Sequence, residues 1–389
     1  MSSTPPPLYT LPIDKRPPGY GPWFSKIVFP IVFNLGILGI SSAQFLFLPL
    51  LLIPILGRPL FRRAIAWTKD GFGRLLLCAP TSLVITTDEQ PELATIVERD
   101  SNGDVVKINL PDRMVVIANH QAYTDWMYLW ILACYSGYGD GITILLKASL
   151  KHLPIVGWGM QFFRFIFLKR SWAADKDNLT QSLNRLARLA KEGQMRSPLW
   201  LLIFPEGTIT SDNERAKSKR YADRERVDDF VGVLHPRSTG LLFCLRTLLP
   251  SIPDLKLLDV TISYPGVPFG KYPQEWYSLG SVFLRSVPPP VVHVHLRLYS
   301  DLGSASCEVP SLDLSTPGGS DPAEAKEFEI WLRSVWAVKE QWLKRLAVQG
   351  ATVEEGAEVV PIKQLRWSDW VAAFGGGGVA TLYAVARLL

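Results

Sequence analysis

Residues 27–57 contain no charged side chain, and Lys26 and Arg58 fence the stretch at its two ends. A run of that length exceeds the roughly 20 residues that cross a bilayer as a helix and falls short of two full spans. Two forms are open: one spanning helix, or a shallow helical hairpin bent near Pro49 and Pro54, where proline interrupts the helix. A cleaved secretory signal fits poorly, because the apolar run is too long and the preceding segment, with Pro5, Pro6, Pro7, Pro17 and Pro18, is no basic leader. The run is expected to stay as an anchor. Arg58, Arg62, Arg63 and Lys69 follow it and favour the cytosolic face, while Lys15, Arg16 and Lys26 precede it. A re-entrant hairpin would put both basic groups on one face.

Around this anchor the chain divides by pattern. Residues 1–24, rich in Pro and Gly with little to bury, are expected to be disordered. A helical segment is expected to continue over residues 60–85, which makes 25–88 the anchoring region. From residue 89 to 312 strand and helix signals alternate. Residues 114–118 (MVVIA) read as a strand buried on both faces, 126–135 as a buried helix, 164–168 as a strand. Leu179, Leu183, Leu186, Ala187 and Ala190 then recur at helical spacing, with Gly193 placed as a stop, and 199–204, 259–264 and 291–298 are further strands. The alternation predicts an α/β domain with a mainly parallel sheet flanked by helices, behind an N-terminal membrane anchor. A linker over 313–321 leads to an amphipathic helix, 322–350, whose stripe of Phe328, Trp331, Val335, Val338 and Trp342 is expected to pack on the domain, with Arg333, Lys339, Lys344 and Arg345 elsewhere on it. In the tail, 351–389, the uncharged stretch 370–386 is a candidate second membrane segment, although Gly375 to Gly378 make it a poor helix.

Composition excludes several functions. Hydrophobic residues make up 48% of the chain, more than a soluble enzyme needs. The net charge of +5 does not imply nucleic acid; a basic surface suits anionic headgroups or a phosphorylated substrate. Cys78, Cys134, Cys244 and Cys307 are far apart, so neither a disulfide framework nor a cysteine zinc site is expected. His293 and His295 share a strand face, where strand histidines are commoner than a metal pair, and no metal is expected. Gly137, Gly139 and Gly141 do not fit a dinucleotide turn, and the Asn178 glycosylation sequon falls in a predicted helix.

Residues 119–125 (NHQAYTD) stand where a buried strand ends and a helix begins, the usual ligand edge of an open α/β sheet. His120 and Asp125 are five residues apart, about 140° off a common helical face, so they meet only if the chain turns between them. Such a turn would let Asp125 accept from one imidazole nitrogen while the other faces a hydroxyl substrate, an arrangement for general base catalysis. Alternatively Asp125 merely caps the helix and His120 is a turn residue. A second strand end carries Phe204-Pro205-Glu206-Gly207-Thr208, and a third, Phe167-Leu168-Lys169-Arg170, finishes in fixed positive charge. If all three open on one edge, they offer a base, a hydrogen-bonding turn and a phosphate clamp. The serine hydrolase alternative lacks a G-x-S-x-G elbow.

With Asn119-His120 and Asp125, residues 167–170, 204–208 and 259–264 in this order, the sequence resembles the glycerolipid acyltransferases, the 1-acylglycerol-3-phosphate acyltransferases and their relatives. Residues 125–127, 147–161, 170–172 and 233–237 look most like the lysocardiolipin and lysophosphatidylinositol branch. The resemblance implies acyl transfer from acyl-CoA, as co-substrate, to the free hydroxyl of a lysophospholipid, with His120 as base and Asp125 orienting it. It implies no metal, cofactor or covalent intermediate, and a membrane location, the endoplasmic reticulum, with the domain facing the cytosol. Asn119, Lys147, Arg170, Glu206, Gly207 and Thr208 would bind substrate. Remodelling of lysophosphatidylinositol or lysocardiolipin alone, or an inactive membrane scaffold with the same fold, are the alternatives. One departure bears on binding: many members place Arg directly after the Glu-Gly-Thr turn, where this chain has Ile209, so Arg170, Lys147 or the run 217–220 must supply the cation.

Overall fold

The structure is a computed structural model that describes residues 5–76, 81–191, 198–304, 307–314, 321–350 and 352–362. The uncharged run forms the first arm and the bend of a helical hairpin, whose returning arm lies beyond it and is charged. Helix α1 (Ser25–Leu46) ends before a short 3-10 turn (Leu48–Leu52) that holds Pro49; Pro54 follows, and α2 (Gly57–Leu76) returns against α1. Ser25–Leu52 is long and apolar enough to cross a membrane. Yet one face of α1, with Ile37, Ile40, Ala43 and Gln44, is buried against the rest of the protein. The other, with Phe24, Ile27, Ile31, Leu35 and Leu38, is exposed at helical spacing.

The Pro-rich residues expected to be disordered form an ordered strap from residue 5 onward. Arg16 is buried, and its guanidinium donates to the Trp276 carbonyl at 2.8 Å and to Ser281 Oγ at 2.5 Å. Proline restricts the unfolded chain, so little entropy opposes the order that this one buried cation imposes.

The helix expected to reach residue 85 stops short, because Ser82–Thr87 is strand β1. Strands β2 (Val97–Arg99) and β3 (Val105–Ile108) form a separate ribbon. There follow β4 (Arg113–Ala118), α3 (Asp125–Tyr135), β5 (Ile142–Lys147), α4 (Val156–Phe162), β6 (Ile166–Leu168), α5 (Trp172–Lys191), β7 (Leu199–Ile203), α6 (Asp212–Glu225), α7 (Ser238–Leu248), β8 (Lys256–Ser263), β9 (Val291–Tyr299), α8 (Pro322–Gln349) and β10 (Glu358–Pro361). The main sheet has the order β10-β1-β9-β8-β4-β7-β5-β6. It is mostly parallel, with antiparallel pairs at β8–β9 and β1–β10. The α/β domain therefore starts at β1 and includes β10, wider at both ends than the 89–312 read from pattern. β1 eludes that reading because both of its neighbours come from the far end of the chain.

Strand β4 lies at the middle of the sheet, with Ile117 between Ile203 of β7 and Asp259 of β8. Its Met114, Val116 and Ala118 enter a core shared with α3 and the hairpin, while Val115 and Ile117 enter a second core shared with α5, α7 and α8. Burial on both faces explains an unbroken apolar strand. Helix α8 packs on the domain through Phe328, Val335 and Trp342 of the expected stripe, with Trp331 half-buried, whereas Val338 is exposed and Leu332, Trp336 and Leu343 are buried in its stead. Lys339 is not on its polar side: it is wholly buried, 2.5 Å from Asp259 Oδ1. The linker residues 315–320, Gly193, Cys78 and the stretch 370–386 lie outside the described residues.

Candidate active site

Because β4, β7, β5 and β6 are parallel, their C-terminal ends share one edge; Lys147 ends β5, and the loops after β4, β7 and β6 carry His120, Glu206 and Arg170. Between His120 and Asp125 the chain turns, as the spacing requires. His120 Nδ1 donates to Asp125 Oδ2 at 2.8 Å. The same oxygen accepts the amides of Gln121 and Ala122, at 2.6 and 3.0 Å, and Tyr264 donates its hydroxyl to Oδ1 at 2.5 Å. Asp125 is thus both turn-former and partner of His120, and it is fully buried. A carboxylate accepting at Nδ1 leaves Nε2 with its lone pair, the tautomer a general base needs. The imidazole stacks on Phe204, ring centroids 4.1 Å apart, and its side chain is 17% exposed.

Asn119, expected to bind substrate, has its side chain turned into the protein. It is wholly buried, donating through Nδ2 to the Ile262 carbonyl at 2.9 Å and accepting the Ile262 amide at 2.8 Å. Those two bonds splint the ends of β4 and β8, because the strands diverge there and the backbone of Ile262 would otherwise lack a partner. Glu206 likewise faces inward. Oε1 accepts from the His120 amide and from Trp336 Nε1, both at 3.2 Å, and Oε2 from the Leu234 amide at 3.3 Å. It joins the His120 loop to α8 and to the loop before α7. Gly207, at φ 74°, makes the turn that aims it, a left-handed conformation that glycine adopts without strain.

A family model described as Acyltransferase matches residues 104–264. The chain is 33% identical over 308 residues to a 2-acyl-1-lysophosphatidylinositol acyltransferase of Saccharomyces cerevisiae, covering 72% of this chain and 73% of the relative. It is 31% identical over 308 residues to lysocardiolipin acyltransferase 1 of Danio rerio (79% and 68%), and 32% over 257 to a probable 1-acyl-sn-glycerol-3-phosphate acyltransferase 5 of Arabidopsis thaliana (66% and 59%). The chain belongs to the acyltransferase family.

Beside the His120 loop of this acyltransferase, a cavity of about 430 Å³ opens, lined by Glu206, Thr208, Lys217, His235 and Arg237 and by Ser238 and Thr239 at the start of α7. Arg237 runs past the Glu-Gly-Thr turn: a Cβ added to Gly207 would lie 3.8 Å from its Nε. The acids Glu214, Glu225 and Glu329 also line the cavity, and Lys217 is paired with Glu214 at 2.6 Å. In the run 217–220, Lys219 lies 3.6 Å from Asp223, and Arg220 donates to the Ala216 carbonyl. Arg170 does not pair with Asp175, whose oxygens accept the amides of Lys169 and Ser171. Lys147 and Arg170 are exposed, two and three strands from β4, or roughly 10 and 14 Å at the usual strand spacing.

Three contributors escaped the sequence reading. Tyr264 ends the motif at 259–264, which like 233–237 carried resemblance without a role, and it holds Asp125 from across the sheet; Trp336 reaches Glu206 from α8, and no local signal marks it. Arg237 stands in the motif at 233–237, which carried resemblance without a role. His293 and His295 each have a protein partner, the Gly350 carbonyl at 3.2 Å and Asp88 at 3.1 Å.

Burial pushes the Glu206 carboxyl up to about 8, against hydrogen bonds from Trp336, Leu234 and His120 that favour the ionised form. A raised value in the folded state means that the stability it contributes is complete below the ordinary 4.5 and is lost as pH rises through about 8. The melting temperature of the wild type should therefore fall over that window relative to Glu206→Gln, which cannot ionise. Parallel melting curves for the two proteins would show that the carboxyl does not titrate there.

Proposed function

We propose that the protein transfers a fatty acyl group from acyl-CoA to the free hydroxyl of a lysophospholipid. The observation that carries the reading is the His120–Asp125 pair, with Nδ1 held as donor and Nε2 left as acceptor. In the reaction, Nε2 takes the hydroxyl proton while the oxygen attacks the thioester carbonyl. The tetrahedral intermediate expels CoA thiolate, which recovers the proton from the imidazolium, so the enzyme is never acylated. The buried Asp125 stabilises the transient imidazolium. The same pair could activate water, but the cavity beside it has room for a larger acceptor, and among its acids Glu214, Glu225 and Glu329 it holds Arg237 and the hydroxyls of Thr208, Ser238 and Thr239 to meet a phosphate.

Arg237 takes the place of the arginine absent at residue 209. Its fork can hold two phosphate oxygens, and the first turn of α7 adds unpaired amides beside it. Lys217 is already balanced by Glu214, and Thr208 supplies a hydroxyl to the acceptor. Lys147 and Arg170, farther along the edge, suit the phosphates of the longer donor. Arg237→Ala should therefore raise KM for the lysophospholipid about ten- to a hundredfold, as loss of one charged hydrogen-bonding group does, with little change for acyl-CoA. Arg170→Ala should do the reverse. Initial rates with labelled acyl-CoA and a panel of lysophospholipids read both, and the headgroup preference with them. Equal effects of Arg237→Ala on both KM values would remove it from the acceptor site.

The exposed stripe of α1 and the bend at Leu52, Ile55 and Leu56 lie in one leaflet, with the packed face of α1 keeping the domain at the surface. Placement at the endoplasmic reticulum with the domain in the cytosol accords with basic residues on both sides of the hairpin and with the cytosolic supply of acyl-CoA.

A further inference from the structure

A second cavity, of about 410 Å³, lies where the hairpin bend meets the domain, and five arginines converge on it: Arg58 and Arg62 from α2, Arg164 before β6, and Arg185 and Arg188 from α5. No acid is among its lining residues. Burial and the charges of Arg185 and Arg62 lower the pKa of Arg164, which fits cations crowded around a shared space. Arg164 precedes β6, and α5 runs back to the edge where β7 starts, so the cavity opens on the edge opposite His120. Strands of five or six residues put it roughly 16 to 20 Å from the reaction edge. Leu51, Phe61 and Leu189 complete its wall, and Leu52, Ile55 and Leu56 of the bend are exposed.

We propose that this arginine cage binds the phosphate headgroup of an anionic membrane lipid that is not the substrate. The inference rests on the reading that the hairpin meets the bilayer. Guanidinium groups match phosphate oxygens in pairs and shed water more readily than ammonium groups. A basic pocket against a membrane-seated helix is a headgroup site by charge and by position. The apolar bend next to the cage accommodates the acyl chains of the same molecule, which a free phosphate lacks. Bound lipid would fix the height and tilt of the domain on the leaflet, and with them the presentation of its opposite edge.

The test uses the full chain carrying His120→Ala, in neutral detergent, titrated with dioctanoyl phosphatidylglycerol and followed by thermal melting. A saturable rise in melting temperature is expected, with none for dioctanoyl phosphatidylcholine. Arg185→Gln with Arg188→Gln, both exposed positions on α5, should weaken the apparent affinity about thirtyfold, from the usual contribution of two basic residues near an anionic surface. Lys219→Gln with Arg220→Gln, on α6 outside the cage, should not. Equal loss from both pairs would reduce the effect to general charge and overturn the site. Inorganic phosphate or CoA competing at equal affinity would overturn the lipid assignment. In an otherwise wild-type chain the α5 pair should leave acyl transfer in neutral detergent unchanged, so a failure of the proposed reaction and a failure of the cage are read separately. Flotation on phosphatidylcholine vesicles reads the hairpin alone.

Discussion

His120→Ala should lower acyl transfer by about 10²- to 10⁴-fold, the usual worth of a positioned general base, while the protein keeps its fold. The imidazole is at the surface of the loop, and without it Asp125 still accepts from the Gln121 and Ala122 amides and from Tyr264. The deficit should therefore lie in turnover, with a melting temperature close to that of the wild type. Asp125→Asn should cost a similar factor for a different reason: an amide no longer enforces a proton on Nδ1, and Nε2 ceases to be reliably basic. Product formation from a labelled acyl donor, measured beside thermal melts, checks both variants. Near-normal turnover in His120→Ala would sink the mechanism, and labelled protein after incubation with the donor alone would replace it with a covalent one.

The largest expected effect on stability lies behind the sheet. Lys339 of α8 has no exposed surface; besides its ion pair with Asp259 it donates to the Val260 carbonyl at 2.7 Å and reaches Thr261 Oγ1 at 3.2 Å. Lys339→Met would leave Asp259 as a buried carboxylate without its cation, a change that costs about 3 to 5 kcal/mol. For a domain of this size that is a fall in melting temperature of roughly 6 to 20 °C. Replacing both partners, Lys339→Met with Asp259→Leu, should recover most of the loss, because the pair stabilises little beyond its own desolvation. A single variant that melts with the wild type would show that the pair is dispensable.

What the sequence reading found and missed follows from the range of the interactions. Strand β4 and the stripe of α8 were legible because burial imposes a local period, and the His120–Asp125 turn because its two ends are five residues apart. Asn119 was taken for a ligand since it neighbours His120; its real partner, Ile262, is 143 residues distant. Lys339 was read only as one of four cations off the stripe of α8, and its distant partner Asp259 explains its burial. Glu206 was expected to touch substrate; it lines the cavity, and its oxygens also serve the backbone of His120 and Leu234 and the indole of Trp336, partners that no local pattern announces.

Strand β1 completes its pairing with β9 about 200 residues later in the chain, and with β10 later still. At ribosomal speeds of 5 to 20 residues per second, that is a wait of roughly 10 to 40 s after β1 emerges. The apolar hairpin just ahead of β1 leaves the ribosome first and has no folded domain to rest on during that time. If the hairpin takes the proposed seat in the leaflet, the order of synthesis lets it reach lipid before the sheet can close, and the domain then assembles beside a surface that already shelters it.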